Sequence, residues 1–171
     1  DNRELVAAAR RMEYDSFAEN DCFEIVLRKS LPPKARVNTS RELLQWKIPG
    51  KKVKCRVVLR GFQDNREWLI TESPTLKNES FRLLLQFAAD LGLEQIAVDL
   101  KTAFLQGELY EEKIYWTPPE EFRKYYDIQP DEVCVAKKSI YGLADAPRKW
   151  YEKLASTLMN GKIMEKYVCD D

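Results

Sequence analysis

Gln95-Ile-Ala-Val-Asp-Leu100 is the stretch on which the reading of this chain turns. A short apolar run that carries the β-branched residues Ile96 and Val98 and an acid near its end predicts a buried strand over 95–100. Just upstream, Phe81, Leu84, Leu85, Ala88 and Leu91 fall on one stripe at helical spacing, which predicts a helix over 79–91. Gly92 follows where a helix needs a residue tolerant of left-handed backbone. Asp99 is then the residue to explain, because a carboxylate in an apolar strand is costly unless its charge is compensated. From the segment alone, two readings stand. Asp99 is a strand-end acid that faces solvent or caps the next turn, or it is a metal ligand at the end of a central strand. Magnesium suits the second reading, since it takes a few carboxylates together with substrate phosphate oxygens.

Upstream, residues 4–19 read as a helix, with Leu5, Ala9 and Met12 at helical spacing. Residues 22–27 read as a short strand, and 30–40, which hold Pro32-Pro33, as loop. A hairpin follows: a strand over 43–48, the turn Pro49-Gly50-Lys51, and a strand over 52–60. Successive side chains of a strand alternate sides, so Lys52, Lys54, Arg56 and Arg60 share one face, interrupted by Val58. Val53, Cys55, Val57 and Leu59 share the other and can pack on a core. The basic face is either an edge strand guarded by lysines or a phosphate clamp. In a clamp, Arg56 would grip as a fork and Lys54 as a point charge.

Downstream, 114–117 and 133–136 read as strands, separated by a loop at Pro118-Pro119. Ser139-Ile-Tyr-Gly-Leu-Ala-Asp-Ala-Pro-Arg-Lys-Trp150 reads as a turn feeding a helix over 147–159 that buries Trp150, Leu154 and Leu158. Gly142 marks a place where the backbone would approach a ligand closely. Strands that alternate with helices imply a layered α+β or α/β fold.

Bulk composition narrows the chemistry. The 171 residues fit one domain or a lobe and a half, and they include no histidine. That removes His-based acid–base catalysis, Ser-His and Cys-His nucleophiles and His-ligated zinc. Carboxylates with metal ions, lysine or tyrosine remain. Lys and Arg number 28 against 28 Asp and Glu, so any nucleic-acid affinity must come from local charge rather than the total. Cys22, Cys55, Cys134 and Cys169 form no C-x-x-C pair and read as reduced, structural thiols. No apolar run is long enough to span a bilayer, and the start Asp1-Asn-Arg-Glu4 is no signal peptide. The expectation is an intracellular protein without a membrane partner, excerpted from something longer.

Taken together, Val98-Asp-Leu-Lys-Thr-Ala-Phe-Leu-Gln-Gly107, Ile114-Tyr115 with Pro118-Pro119, and Ser139-Ile-Tyr-Gly-Leu with Ala146-Pro-Arg-Lys-Trp-Tyr-Glu-Lys-Leu154 resemble the Ty1/copia-type retrotransposon reverse transcriptase domain in order and spacing. Lys54-Cys-Arg-Val-Val-Leu-Arg-Gly-Phe62, Ser73-Pro74 and Phe23-Glu-Ile-Val26 fit the same family, so the resemblance covers nearly the whole chain. It implies an α+β fingers and partial-palm fold, an antiparallel sheet backed by helices, with fingers over about 1–92 and palm over 93–171. It implies an RNA-directed DNA polymerase that uses two Mg2+ ions, a template-primer duplex of RNA or DNA, a dNTP and the remainder of a Pol polyprotein. Asp99 matches the first catalytic aspartate, with the Leu100 carbonyl helping to hold metal. Phe104 matches the aromatic residue under the incoming sugar, Ala103 the floor beside it, and Tyr141 and Gly142 the nucleotide-pocket turn. Lys54 and Arg56 would face the triphosphate.

The chain departs from the family in three places. Glu42 stands where a tryptophan is usual, and Ala144-Asp145 replaces a stretch that more often carries lysine. The family's Tyr-x-Asp-Asp is not matched by Tyr167-Val-Cys-Asp-Asp171, which has one residue too many and follows the Trp150 helix too closely. Asp170 and Asp171 are therefore doubtful metal ligands, the domain reads as incomplete at its C-terminal end, and the isolated chain is expected to be inactive. Two alternatives follow. One is a non-catalytic nucleic-acid-binding remnant or domesticated module. The other is a magnesium nuclease built from Asp99 with Glu108, Glu111 or Glu112, acids expected in a solvated loop.

Overall fold

A computed structural model describes residues 2–67 and 69–160. The chain begins with helix α1 (Asn2–Glu19), strand β1 (Phe23–Leu27), and the long hairpin β2 (Val37–Ile48) and β3 (Lys52–Leu59). Helix α2 (Asn78–Asp90), strand β4 (Leu109–Thr117), helix α3 (Glu120–Tyr125), strand β5 (Glu132–Lys138) and helix α4 (Ala146–Met159) follow. The fold is mixed α/β, with one five-stranded sheet in the order β1-β5-β4-β2-β3.

The sheet is not purely antiparallel, as the resemblance implied. Val37, Asn38 and Thr39 of β2 run parallel to Tyr115, Trp116 and Thr117 of β4, while the β1/β5, β4/β5 and β2/β3 pairs are antiparallel. β2 is thus shared: its first residues join it to β4, and the rest, from Ser40↔Leu59 onward, to β3. The sequence reading left 30–40 as loop because Asn38-Thr39-Ser40 is polar, yet these residues open β2. The Thr39 N–H donates to Gln63 Oε1 and the Ser40 hydroxyl donates to the Thr117 carbonyl, so these polar groups are held within the fold.

An aromatic cluster forms the core. Phe122 of α3 is fully buried, and the rings of Tyr14, Phe17, Phe23, Trp116 and Tyr126 lie between 4.8 and 5.6 Å from its centroid. Edge-to-face pairs at these separations add roughly 0.5–1.5 kcal/mol each beyond area burial. α1 enters this core through Ala9, Tyr14 and Phe17, with Glu13 and Ser16 buried beside them. The expected stripe through Met12 is out of phase, for Met12 is 76% exposed. α3 was not foreseen behind Pro118-Pro119, although Glu120-Glu121 in its first turn and Arg123-Lys124 in its last suit the helix dipole.

The strand expected over 95–100 does not form. These residues carry no regular element, and Ile96 and Val98 are 74% and 75% exposed. A strand exists only where a neighbour completes its hydrogen-bond ladder, and no strand lies beside this one among the described residues. α2 forms where the stripe placed it, and Gly92 adopts a φ of +67° after it. It backs nothing, however, since none of its residues is buried. α4 also forms as expected, with Trp150, Leu154 and Leu158 half-buried rather than enclosed.

Candidate functional site

The end of β3 and the 140–143 turn meet backbone to backbone. Leu59 N–H donates to the Tyr141 carbonyl at 2.8 Å. Gly142 sits at a φ of +93°, and a Cβ there would collide with the Leu59 carbonyl oxygen. The close approach read from the sequence is real, but its partner is the strand. A side chain at Gly142 would push the turn off β3, and with it Tyr141.

That contact assembles the ring cluster. Tyr141 and Phe104 stack edge-to-face at 5.6 Å, and the Arg56 guanidinium lies 5.9 Å from the Tyr141 ring centroid. Phe104 lies with Ala103 in the short 3-10 turn Ala103–Gln106, whose entry residue Thr102 takes a left-handed φ of +51°. A β-branched residue is strained there, and the turn is pinned from two sides. Ser139 Oγ donates to the Phe104 carbonyl, and Cys22 Sγ donates to the Leu105 carbonyl at 3.5 Å. Burial pushes the Tyr141 hydroxyl up to about 12, so it stays protonated across the physiological range.

β3 alternates as its pattern required: Cys55, Val57 and Leu59 are buried, while Lys52 and Lys54 are exposed and Arg56 half-buried. Partial burial and the neighbouring Arg56 and Lys47 hold the Lys54 ammonium below its ordinary value. Glu13 and Asp99 pull it the other way. Asp99 therefore lies within electrostatic reach of Lys54, although it is exposed and not set in a strand. Leu100 is 43% exposed beside it. Of the residues singled out from the sequence, the fold brings Lys54, Arg56, Asp99, Ala103, Phe104, Tyr141 and Gly142 to one region. Asp170 and Asp171 lie outside the described residues. Glu111 and Glu112 stand on β4, not in a loop, and Glu108 pairs with Lys153 at 3.2 Å.

Three side chains that sequence reasoning did not assign hold this region in place. Glu13 is 7% exposed and accepts the Val57 N–H at 3.1 Å, joining α1 to β3. Burial raises its carboxyl to about 6 against the backbone bond and the charges of Lys54 and Arg56. Glu42 accepts Arg10 Nη2 at 2.8 Å and Tyr14 Oη at 2.5 Å. Burial alone would push its carboxyl up; the Arg10 and Tyr14 bonds prevail and hold it below the usual range. This half-buried ion pair ties the hairpin to α1. Asp145 is the third. Arg66 grips it with both terminal nitrogens at 3.0 Å and also binds Asp64, while Tyr110 Oη donates to it at 2.8 Å. A separation of 79 residues between Arg66 and Asp145 left no local signal for this pair.

The family model described as reverse transcriptase (RNA-dependent DNA polymerase) matches residues 28–168, and the chain belongs to that family. The relatives it matches are Pol polyproteins of Ty1/copia-type transposons. It is 34% identical over 165 residues to the retrovirus-related Pol polyprotein from transposon TNT 1-94 of Nicotiana tabacum, covering 93% of this chain and 12% of that one. To the corresponding protein from transposon RE2 of Arabidopsis thaliana it is 37% identical over 108 residues, 62% of this chain and 7% of the relative. The truncated transposon Ty1-A Gag-Pol polyprotein of Saccharomyces cerevisiae is 30% identical over 141 residues, 81% of this chain and 11% of that one. The chain thus spans about an eighth or less of the curated relatives it matches. No solved structure matches it.

Reverse transcriptases generally work with divalent metal ions. Among the described residues no group of three His, Cys, Asp or Glu side chains gathers to hold one. The described residues therefore do not complete such a site. No described helix is long and apolar enough to cross a membrane.

Proposed function

We propose that this chain supplies the fingers, about residues 1–92, and part of the palm, 93–171, of an intracellular retrotransposon reverse transcriptase. In the parent protein it would extend a primer on an RNA or DNA template. The observation that carries this reading is the contact chain Arg56–Tyr141–Phe104, formed beside Lys54 and Asp99 from segments far apart in sequence.

Each residue has a role that its chemistry supports. Arg56 and Lys54 neutralise the triphosphate of an incoming dNTP, Arg56 as a fork and Lys54 as a point charge. Tyr141 holds Arg56 over its ring and closes the back of the pocket. Phe104, with Ala103 beside it, lies under the sugar, where its ring excludes a ribose 2′-hydroxyl. The primer 3′-hydroxyl attacks the α-phosphate and pyrophosphate leaves. Asp99 supplies carboxylate charge at the reacting end, and a pair of Mg2+ ions is the cofactor we propose for the parent protein, with the Leu100 carbonyl next to Asp99 as a further donor. The described residues offer those ions Asp99 alone. For that reason we expect this chain by itself to bind but not to polymerise.

Primer extension by a Pol polypeptide containing this chain tests the proposal. Asp99→Asn should lower extension by at least about a thousandfold while leaving template-primer affinity within about twofold, an effect confined to the chemical step. Activity that survives Asp99→Asn sinks the catalytic assignment and leaves a nucleic-acid-binding module. Phe104→Ala should separately raise ribonucleotide incorporation relative to deoxyribonucleotide.

A further inference from the structure

A second basic concavity lies away from the Arg56–Tyr141–Phe104 cluster, between the 32–38 segment, the turn at 64–66 and β4. It encloses about 390 Å3, within the roughly 300–1,000 Å3 of pockets that hold small ligands. Its lining carries four basic side chains, Lys34, Arg36, Arg66 and Lys113, against the single carboxylate of Asp64. Arg66 is already committed, 12% exposed and closed in ion pairs with Asp64 and Asp145. Lys34, Arg36 and Lys113 are exposed and take part in no ion pair among the described residues. In a chain whose charges cancel, three uncommitted cations around one hollow are a local surplus that attracts anions.

Asn38 is an independent sign of a ligand. It lines the hollow, is 4% exposed, and its Oδ1 has no hydrogen-bond partner. An unsatisfied buried amide costs about 1–3 kcal/mol, and such groups are rare enough in folded proteins to need a reason. The parallel join of β2 to β4 fixes the Asn38 backbone opposite Trp116. Stiff apolar surface also lines it, from Pro32, Pro33 and the half-buried ring of Tyr115. Cations for phosphate, an amide at the floor and ring surface for sugar or base are the elements of a single-strand site.

We propose that this hollow seats one phosphodiester unit of a single-stranded nucleic acid, with Lys34, Arg36 and Lys113 around the phosphate and Asn38 Oδ1 at the floor accepting from a ribose hydroxyl or a base N–H. The proposal rests on the nucleic-acid reading given above but uses none of the residues that carry it. It gives the chain two separate phosphate contacts, one on the β3 face and one at the start of β2.

The test is fluorescence anisotropy of a short labelled single-stranded RNA titrated with the 171-residue chain at several salt concentrations. Each phosphate neutralised on a single strand contributes about 0.7 to the slope of log K against log salt. The triple variant Lys34→Gln, Arg36→Gln, Lys113→Gln removes the one phosphate contact and should therefore lower that slope by about 0.7 and the affinity at low salt about tenfold. Its thermal midpoint should not move, because all three side chains are exposed. Unchanged affinity and slope in the triple variant, beside a loss in Lys54→Gln with Arg56→Gln, overturn the hollow and leave the β3 face standing. Failure of the unsubstituted chain to bind RNA overturns both. A final arm titrates inorganic phosphate. If the triple substitution abolishes phosphate binding but leaves RNA affinity intact, the hollow is a free-anion site and the strand proposal is wrong.

Discussion

α1 and α2 are both amphipathic helices, and they meet opposite fates. α1 has the weaker apolar pattern, with an acid and a serine on its inward face, yet it is docked through Tyr14 and Phe17 against Phe122. α2 has the sharper stripe, yet Phe81, Leu84 and Leu85 are 50%, 56% and 37% exposed. The difference teaches that periodicity specifies which face a helix offers, while burial depends on whether a complementary surface stands opposite. α1 finds β3 and α3. α2 and the extended residues after it find no such surface among the described residues, and the apolar side chains of both are left open.

The comparison can be broken by substitution. Phe122→Ala removes the ring at the centre of the α1 seat and should cost about 3–5 kcal/mol, read as a fall in the denaturant midpoint. Next in size is Gly142→Ala, whose new Cβ meets the Leu59 carbonyl in left-handed backbone. It should destabilise by about 3 kcal/mol, read as a fall in the denaturant midpoint. Glu13 sharpens the contrast through pH. Its carboxyl is raised from 4.5 to about 6, so the folded state binds the proton more tightly than the unfolded one. Its contribution is fully present below about 4.5 and is lost as pH rises through 6, about 2 kcal/mol in all. Glu13→Gln should flatten that window in a set of unfolding curves from pH 4 to 7.5, and an unchanged profile would show that Glu13 does not titrate there. The smallest effect belongs to α2: Leu84→Ala should shift stability by no more than about 0.5 kcal/mol. A loss on the scale of Phe122→Ala would show that α2 is docked in solution after all.

What could be read from the sequence follows the same division. Local patterns were legible: the hairpin with its alternating basic and apolar faces, the helix closed by Gly92, and the Pro147 helix. So was the grouping of Lys54, Arg56, Phe104 and Tyr141, because long motifs in order carry their mutual positions with them. Non-local facts were not. The 95–100 run has the composition of a strand, but strand formation depends on a neighbour that its own residues do not specify. The parallel join at Val37–Thr39 hides in polar residues, since their side chains bond Gln63 and Thr117 rather than fill the core. Asp145 looked like a lost lysine-bearing stretch. It is instead the anchor of Arg66, and only the fold could bring those two residues together.

The Glu42 knot has a mechanical consequence for the hairpin beyond it. Arg10, Tyr14 and Cys55 all reach Glu42, so the two-stranded ribbon is clamped there, with Val53 the one side chain nearer the turn that still packs on the core. Six residues of β2 lie past the clamp, to Ile48, which at about 3.3 Å per residue makes an arm of roughly 20 Å. The irregular pairing between Trp46 and Ile48 falls near the far end. On such an arm a tilt of about 6° at the root becomes a sweep of about 2 Å at the tip, while Arg56, next to the pivot, barely moves. The hairpin is a cantilever whose fulcrum is one carboxylate. Shortening that carboxylate by a methylene, as in Glu42→Asp, would retune the aim of Lys47 and Lys52 without touching either.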